Sequence, residues 1–303
     1  MPAAALIPTF VNPRAGSTSG IADALAARGG FDVRETPPER LPEAIRQALV
    51  EGASRVVIAG GDGTIGSAAA VLAGTDVELA VIPGGTLNHF AKFLRISSDA
   101  AEASEIAATG ERRRVDVAYV NDQLMLNTSS VGAYVVFVRA RERLESRLGY
   151  LLASAVAFIR ILARLRSFNV VVELDGQRRV FQSPLVFIAV GERELKLPGL
   201  GDRVVGGKRG LHVVVVRGKR RTRLLLLGIA VAARGLDALR HTPEAGIDSF
   251  VVDRCRIELK RPRGFVGVDG ELVPMIAPLE YRIARDELCV VVPPEAAEGG
   301  RDT

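Results

Sequence analysis

At 303 residues, with 48% hydrophobic and 25% charged positions, the chain is long enough for two domains and too apolar to be disordered over most of its length. Tryptophan is absent and aromatics make up 5%, so the core is aliphatic. The formal charge of +5 permits nucleic acid or an anionic membrane as partner, whereas the two cysteines (Cys255, Cys289) and three histidines (His89, His212, His241) match no zinc or redox spacing.

Ala4 to Val11 reads as a first strand and runs into the turn Asn12-Pro13-Arg14-Ala15-Gly16-Ser17, followed by an amphipathic helix from Ile21 to Arg28. The opening residues lack the features of a signal peptide. Phe31 to Glu35 is a second strand ending at Thr36-Pro37-Pro38, and Leu41 to Gly52 a helix with Leu41, Ile45, Ala48 and Leu49 on one face. Arg55 to Ile58 is a β-branched strand that enters Ala59-Gly60-Gly61-Asp62-Gly63-Thr64, ahead of a helix from Ile65 to Leu72. A strand, a glycine turn and a helix start present backbone N–H groups to phosphate. A carboxylate inside such a turn repels the ligand unless a cation is also present, which points to a metal-assisted nucleotide site. Val77 to Ile82 is a further strand, leading into Pro83-Gly84-Gly85-Thr86-Leu87-Asn88-His89-Phe90-Ala91. Alternating strands and helices predict a parallel sheet covered on both faces, with its ligand crevice at the strand carboxyl ends.

After the helix Ala100 to Thr109 and Arg112-Arg113-Arg114, the pattern changes near residue 120. Strands are expected at Val115 to Val120, Gln123 to Ser129, Asn169 to Leu174, Arg179 to Val190, His212 to Val216, Ser249 to Leu259 and Tyr281 to Val292. Helices are expected at Tyr134 to Arg166 and Thr222 to Arg240, and Asp175-Gly176 and Asp269-Gly270 are hairpin signals. This half reads as an antiparallel β-sandwich. The expected division is residues 1–120, residues 121–292 and a frayed tail, 293–303, that can return to the first domain. The longest uncharged apolar runs, Leu148 to Ile159 and Leu224 to Ala233, fall short of the roughly 20 residues a spanning helix needs. A cytoplasmic protein that meets a membrane only at its surface is expected. The basic cluster Arg217 to Arg223 beside Leu224 to Leu227 suits an anionic membrane as well as it suits a solvated helix end.

Taken together, Asn12 to Gly16, Gly60 to Thr64, Pro83 to Ala91, Leu126-Asn127-Thr128-Ser129-Ser130-Val131-Gly132 and Val268-Asp269-Gly270-Glu271 resemble the diacylglycerol kinase catalytic family of lipid kinases. The Gly-Gly-Asp-Gly-Thr element alone is shared with NAD kinases. The Pro-Gly-Gly-Thr-x-Asn and Asp-Gly-Glu elements point to the lipid branch. The resemblance implies an α/β nucleotide-binding domain plus a β-sandwich domain, with the site in the cleft between them. It implies transfer of the ATP γ-phosphoryl to a lipid hydroxyl with Mg2+, at the inner face of the membrane and without nucleic acid. A homodimer is an allowed assembly.

By position, Asn12, Pro13, Arg14, Ala15, Gly16, Thr36, Gly60, Gly61, Asp62, Gly63, Thr64, Ile65, Gly66, Ser67, Thr86 and Asn88 would bind ATP. Asp62 and Asp116 would orient the metal, and Glu271, with Asp269 as its competitor, would accept the alcohol proton. An NAD kinase-like enzyme with a soluble substrate and a catalytically impaired lipid- or nucleotide-binding relative are the alternatives. This chain has His89 where the family often has Asp, and Ile65-Gly66-Ser67 in place of x-Asn-Glu. Lys208 and Arg209 stand where many bacterial relatives carry acids that hold a structural Mg2+, so that second metal site is expected to be absent.

Overall fold

A computed structural model describes residues 6–16, 18–132, 168–174, 177–194, 201–204, 206–216, 247–259 and 262–294. The chain forms two compact units, residues 1–117 with 284–303, and residues 118–283. The expected helices Tyr134 to Arg166 and Thr222 to Arg240, the cluster Arg217 to Arg223, the Asp175-Gly176 turn, Ser17 and the tail from residue 295 lie outside the described residues. Among the described residues no helix is long and apolar enough to cross a membrane.

In the first unit, β1 (Ile7–Val11), α1 (Thr18–Arg28), β2 (Phe31–Glu35), α2 (Leu41–Val50), β3 (Arg55–Gly60), α3 (Asp62–Leu72), β4 (Glu78–Pro83), α4 (His89–Phe93) and α5 (Ala100–Thr109) follow in order. The strands pair in parallel in the order β2-β1-β3-β4. β3 and β4 are continuous apolar runs, as strands covered on both faces must be, and every residue from Val56 to Gly60 and from Leu79 to Pro83 is buried. Helix α2 buries Leu41, Ile45 and Ala48, one stripe at helical spacing, while α1 packs on α5 and α2 on α3. Asp99 starts α5 by accepting the N–H groups of Ala101 and Glu102 at 2.9 Å each. At the other end of α5 the Arg55 guanidinium donates to the carbonyls of Ala107, Ala108 and Gly110 and pairs with Glu78 at 2.7 Å. One cation thereby closes the helix terminus and ties it to β3 and β4.

The remaining strands are β5 (Glu111–Val120), β6 (Gln123–Met125), β7 (Thr128–Gly132), β8 (Phe168–Leu174), β9 (Gln177–Ser183), β10 (Leu185–Val190), β11 (Leu211–Val216), β12 (Ile247–Val252), β13 (Arg254–Glu258), β14 (Arg263–Val268), β15 (Glu271–Ile276) and β16 (Leu279–Val292). In the second unit one antiparallel sheet runs β12-β11-β10-β7-β14-β15. A second joins the start of β16 to β13, β8 and β9 and carries the β5–β6 hairpin. Their buried faces share one aliphatic core, with Ile188, Val213 and Val266 from the first sheet and Val170, Ile257 and Leu279 from the second. This is the expected pairing of an α/β nucleotide-binding-type domain with a β-sandwich domain. Cys255 and Cys289 are buried free thiols, and burial alone pushes Cys255 up to about 12.

Four details differ from the sequence-based reading. Helix α3 starts at Asp62 instead of Ile65, so the acid belongs to the first helical turn, with Gly61 as its extended N-cap. The run Arg179 to Val190 is two strands in different sheets, broken at Pro184, which has no N–H to give a ladder. The run Ser249 to Leu259 breaks likewise at Asp253, whose carbonyl accepts the Ile283 N–H at 3.1 Å. The run Gln123 to Ser129 breaks at Leu126 and Asn127, whose N–H groups turn toward Asp269. The unit boundaries also differ from 1–120 and 121–292. The last stretch of β16, residues 284–292, belongs to the first unit, because Val290 pairs in parallel with Leu79 of β4.

Ser129 Oγ and Tyr281 Oη meet at 2.9 Å inside the second unit, where Tyr281 is fully buried. Tyr281→Phe leaves the Ser129 hydroxyl without its partner and is expected to cost about 1–3 kcal/mol in urea unfolding. Tyr281→Phe with Ser129→Ala is expected to cost less than the sum of the single changes, a coupling that a double-mutant cycle measures directly.

Candidate active site

The sheet order places β2 and β3 on opposite sides of β1, so the chain reverses its winding between β1 and β3. The loops leaving the carboxyl ends of β1, β3 and β4 gather at this switch point. Asn12 is buried there, and its Nδ2 donates to Thr64 Oγ1 at 2.9 Å, joining the β1 loop to the first turn of α3. The Asn12 backbone N–H donates to Ala59 O at 3.0 Å, and its Oδ1 accepts the Arg14 N–H at 3.0 Å. Asn12 is therefore the keystone of the turn, which leaves Pro13, Arg14 and Gly16 exposed. Arg14 reaches Glu39 at 2.6 Å, an ion pair in which both side chains are exposed. Thr36 is buried, and its N–H donates to Val11 O at 2.9 Å.

Glycine is required here chiefly by loop-to-loop packing. A Cβ on Gly85 would lie 2.7 Å from Gly61 Cα, and one on Gly60 would lie 2.8 Å from Thr64 Cβ. The Gly84 N–H donates to Gly60 O at 2.9 Å, so the β3 and β4 loops stay in register past the ends of their strands. Gly16 and Gly66 are different: a Cβ on either would meet nothing within 4 Å. Thr64 and Ile65 are buried, with Ile65 in the core, while Gly63 and Thr86 are exposed and Ser67 half-buried.

Asn88 adopts a left-handed conformation (φ +50°), and its side chain closes the β4 loop by accepting the Gly85 N–H at 2.9 Å and donating to Gly85 O at 2.7 Å. Asp62 then accepts the N–H groups of His89 and Phe90, one on each oxygen, at 3.1 Å. Both oxygens of the expected metal-orienting acid hold the start of α4. Each retains a second lone pair. Asp116 lies on β5, half-buried, with Oδ1 accepting the Asp286 N–H at 3.0 Å. Among the described residues no group of three or more His, Cys, Asp or Glu side chains forms a metal cage.

Asp269 and Gly270, at φ +47° and +93°, are the two-residue turn between β14 and β15, with Val268 opposite Glu271. The Asp269 side chain reaches past its own hairpin. Its Oδ2 accepts the Leu126 N–H at 2.6 Å, and its Oδ1 accepts those of Asn127 at 2.8 Å and Thr128 at 2.9 Å. Three N–H donors thus take three of the roughly four acceptor positions of this carboxylate, which commits it to holding backbone. Glu271 is exposed at the start of β15 and has no side-chain partner among the described residues.

Sequence reasoning missed the far side of this segment. The Leu126 carbonyl accepts from Arg203 at 2.8 Å, and the Asn127 carbonyl from the Val190 N–H at 3.0 Å and from Arg193 at 3.5 Å. The Arg193 backbone N–H donates to His212 Nδ1 at 2.9 Å, and His212 Nε2 meets Ser249 Oγ at 2.7 Å. Burial pulls the His212 pKa down from 6.5, which keeps Nδ1 free to accept. Burial also lowers the Arg193 pKa, against the pull of the Asp269 and Asp202 carboxylates. Lys208 and Arg209 are exposed, and it is the Lys208 backbone N–H that meets Glu192, at 2.8 Å.

The loop geometry separates the glycines by effect. Gly85→Ala is expected to lower stability by about 1–3 kcal/mol through overpacking against Gly61. Gly66→Ala, in helix α3 with open space around it, is expected to raise it by about 0.5–1 kcal/mol. Guanidinium unfolding of the two variants distinguishes a packing glycine from one that packing leaves free.

Residues 7–120 match the family model described as the diacylglycerol kinase catalytic domain. A Cronobacter sakazakii protein named "Probable lipid kinase YegS-like" is 35% identical over 111 residues, covering 35% of this chain and 37% of that one. The diacylglycerol kinase of Bacillus subtilis is 27% identical over 267 residues, covering 84% and 83%. An uncharacterised Synechocystis protein, sll0036, is 27% identical over 261 residues, covering 85% of this chain and 59% of that one. This chain thus spans less than two thirds of the Cronobacter and Synechocystis relatives. A crystal structure of a diacylglycerol kinase from Bacillus anthracis str. Sterne shares the fold with a TM-score of 0.68 at 23% identity, covering 95% and 97% of the two chains.

Proposed function

We propose, on the premise that residues 7–120 belong to the diacylglycerol kinase catalytic-domain family, that this lipid-kinase relative transfers the γ-phosphoryl of ATP to the hydroxyl of a membrane lipid of diacylglycerol or sphingoid type. The observation that carries the reading lies within the matched stretch. Asn12, the Gly60–Thr64 segment and the Gly84–Asn88 loop meet at the switch point of one parallel sheet, joined by the Asn12–Thr64 bond and by Asp62 on the start of α4.

In this reading the first unit holds the donor. The β1 turn offers Arg14 and the exposed backbone at Pro13 and Gly16, while Gly66 and Ser67 leave space along α3 for the nucleotide. Magnesium travels with a triphosphate through few protein carboxylates and several waters, so two carboxylates suffice for an ion delivered on ATP. Asp62, with a second lone pair on each oxygen, and Asp116, half-buried on β5, would hold it through water. When bound, the ion would neutralise charge on the phosphoryl oxygens.

The second unit meets the acceptor. Glu271 takes the lipid hydroxyl proton as that oxygen bonds to the γ-phosphorus and the bond to the ADP oxygen breaks. Asp269, with its oxygens committed to three N–H groups, fixes the hairpin from which Glu271 projects. The lipid is presented by an anionic membrane surface that the protein meets peripherally. That fits a chain with net charge +5, whose described helices are too short or too polar to span.

Phosphate transfer from labelled ATP to a panel of diacylglycerol, monoacylglycerol, sphingoid base and ceramide in anionic vesicles tests the assignment. Glu271→Gln is expected to lower kcat about 10²–10⁴-fold with little change in the KM for ATP. Asp62→Asn puts an amide N–H against the His89 or Phe90 N–H and is expected to weaken ATP and metal use together. A Glu271→Gln enzyme with full activity would sink the assignment of the base, and phosphorylation of NAD without lipid would transfer the reading to a soluble substrate.

A further inference from the structure

The three residues that Asp269 grips are also bonded from the other side. Their N–H groups all point to its carboxylate. Of their carbonyls, Leu126 O accepts from Arg203, Asn127 O from Val190 and Arg193, and Thr128 O from the Asp269 N–H. Every backbone polar group of Leu126, Asn127 and Thr128 therefore has a partner, although the segment belongs to neither β6 nor, until Thr128, to β7. The two arginines face each other, since Arg193 and Arg203 form an isolated antiparallel bridge. Arg193 is anchored further through His212 and through its donation to Gly201 O at 3.3 Å.

Stability alone does not account for this choice of residue. A main-chain N–H satisfies a carbonyl without desolvating a cation, as Val190 does for Asn127. Arg193 instead places a half-buried guanidinium here, with its Nε buried and lacking a hydrogen-bond partner. Such an arrangement is commonly less stable than an apolar side chain of similar volume. What it supplies is a planar, permanently charged fork on the segment that Asp269 holds from the other side.

We propose that Arg193 and Arg203 are positioning residues for the acceptor side of the reaction. They clamp residues 126–128 by their carbonyls while Asp269 clamps them by their N–H groups, and this fixes the β14–β15 turn and hence Glu271. The inference rests on the lipid-kinase reading for its kinetic consequence and on geometry alone for the clamp.

Two measurements on the full chain separate these. Hydrogen–deuterium exchange reads the clamp. Arg193→Gln and Arg203→Gln are expected to speed exchange of the Leu126, Asn127 and Thr128 amides by about tenfold or more, leaving the β10–β11 pairing protected. Kinetics with Mg-ATP and diacylglycerol in phosphatidylglycerol vesicles read the consequence. Both variants are expected to lose about ten- to a hundredfold in kcat, with the KM for ATP within about twofold. Arg193→Lys, which keeps the charge, is expected to recover part of that loss. Arg203→Gln added to Asp269→Asn is expected to cost little beyond Asp269→Asn alone, since both act on one segment.

Unchanged exchange at residues 126–128 overturns the clamp, whatever the activity. Faster exchange with wild-type kcat overturns the positioning role. Should Arg193→Gln fail to fold, Arg203→Gln and Arg203→Lys decide the same question. If the wild type shows the protected segment and no transfer to any lipid, the lipid-kinase reading fails and the clamp stands.

Discussion

One buried hydrogen bond, Asn12 Nδ2 to Thr64 Oγ1 at 2.9 Å, joins the chain where its sheet changes winding direction. A doubly wound sheet leaves a crevice at that point, and side chains from two loops must meet across it if the crevice is to have a fixed shape. Asn12 does this while also accepting the Arg14 N–H and donating its own N–H to Ala59 O. Its multiple bonds set the β1 turn against β3. The Gly84 N–H on Gly60 O then sets β4 against β3, and the close approach of Gly85 to Gly61 follows from those two constraints. The remainder of the first unit serves to hold these strand ends in place. Arg55 does so from the opposite end of the same strands, by tying β3 and β4 to the close of α5.

Both units use a carboxylate in the same way. Asp62 takes the N–H groups of His89 and Phe90, and Asp269 takes those of Leu126, Asn127 and Thr128. In each, an acid from one loop fixes the backbone of another far away in sequence, through charge-assisted bonds roughly twice as strong as neutral ones. This resolves the oddity of an acid beside a phosphate-type loop. Part of its charge is spent on N–H dipoles, so it repels an anion less than a bare carboxylate would. It also separates two kinds of acid: those that hold geometry, and Glu271, which is exposed and uncommitted among the described residues.

The fold was legible wherever apolar pattern and punctuation agreed. Val56 to Ala59 and Leu79 to Ile82 read as buried strands because they are continuous apolar runs, and α2 because Leu41, Ile45 and Ala48 recur at helical spacing. The Asp269-Gly270 turn followed from the dipeptide itself. What could not be read was whatever a distant partner decides. Leu126 and Asn127 carry no turn signal, and the strand breaks there because Asp269, more than 140 positions later, takes their N–H groups. Val252 and Arg254 look like one strand until Asp253 sends the chain to the other sheet. Helix α3 starts at Asp62, after an extended Gly61, a conformation any residue adopts and no sequence signal marks. The glycines of the loops were legible as essential, and the reason only partly so: Gly60 and Gly85 are needed by their neighbours, whereas Gly16 and Gly66 are not.

The charges of the second unit make the same point about function. The basic pair Lys208-Arg209 stands out in the sequence, and a functional charge is naturally sought there. In the fold both side chains are exposed, and Lys208 meets Glu192 only through its backbone. The Asp269 carboxylate instead acts on Arg193, which sits between two glutamates and has nothing local to distinguish it. Burial makes the difference. An exposed ammonium near a carboxylate is screened by water and contributes little, whereas the half-buried Arg193 guanidinium, held on the Asn127 and Gly201 carbonyls, acts through a lower dielectric. Where a protein needs positive charge to hold an acidic hairpin, burial decides which cation serves, and burial is a property of the fold.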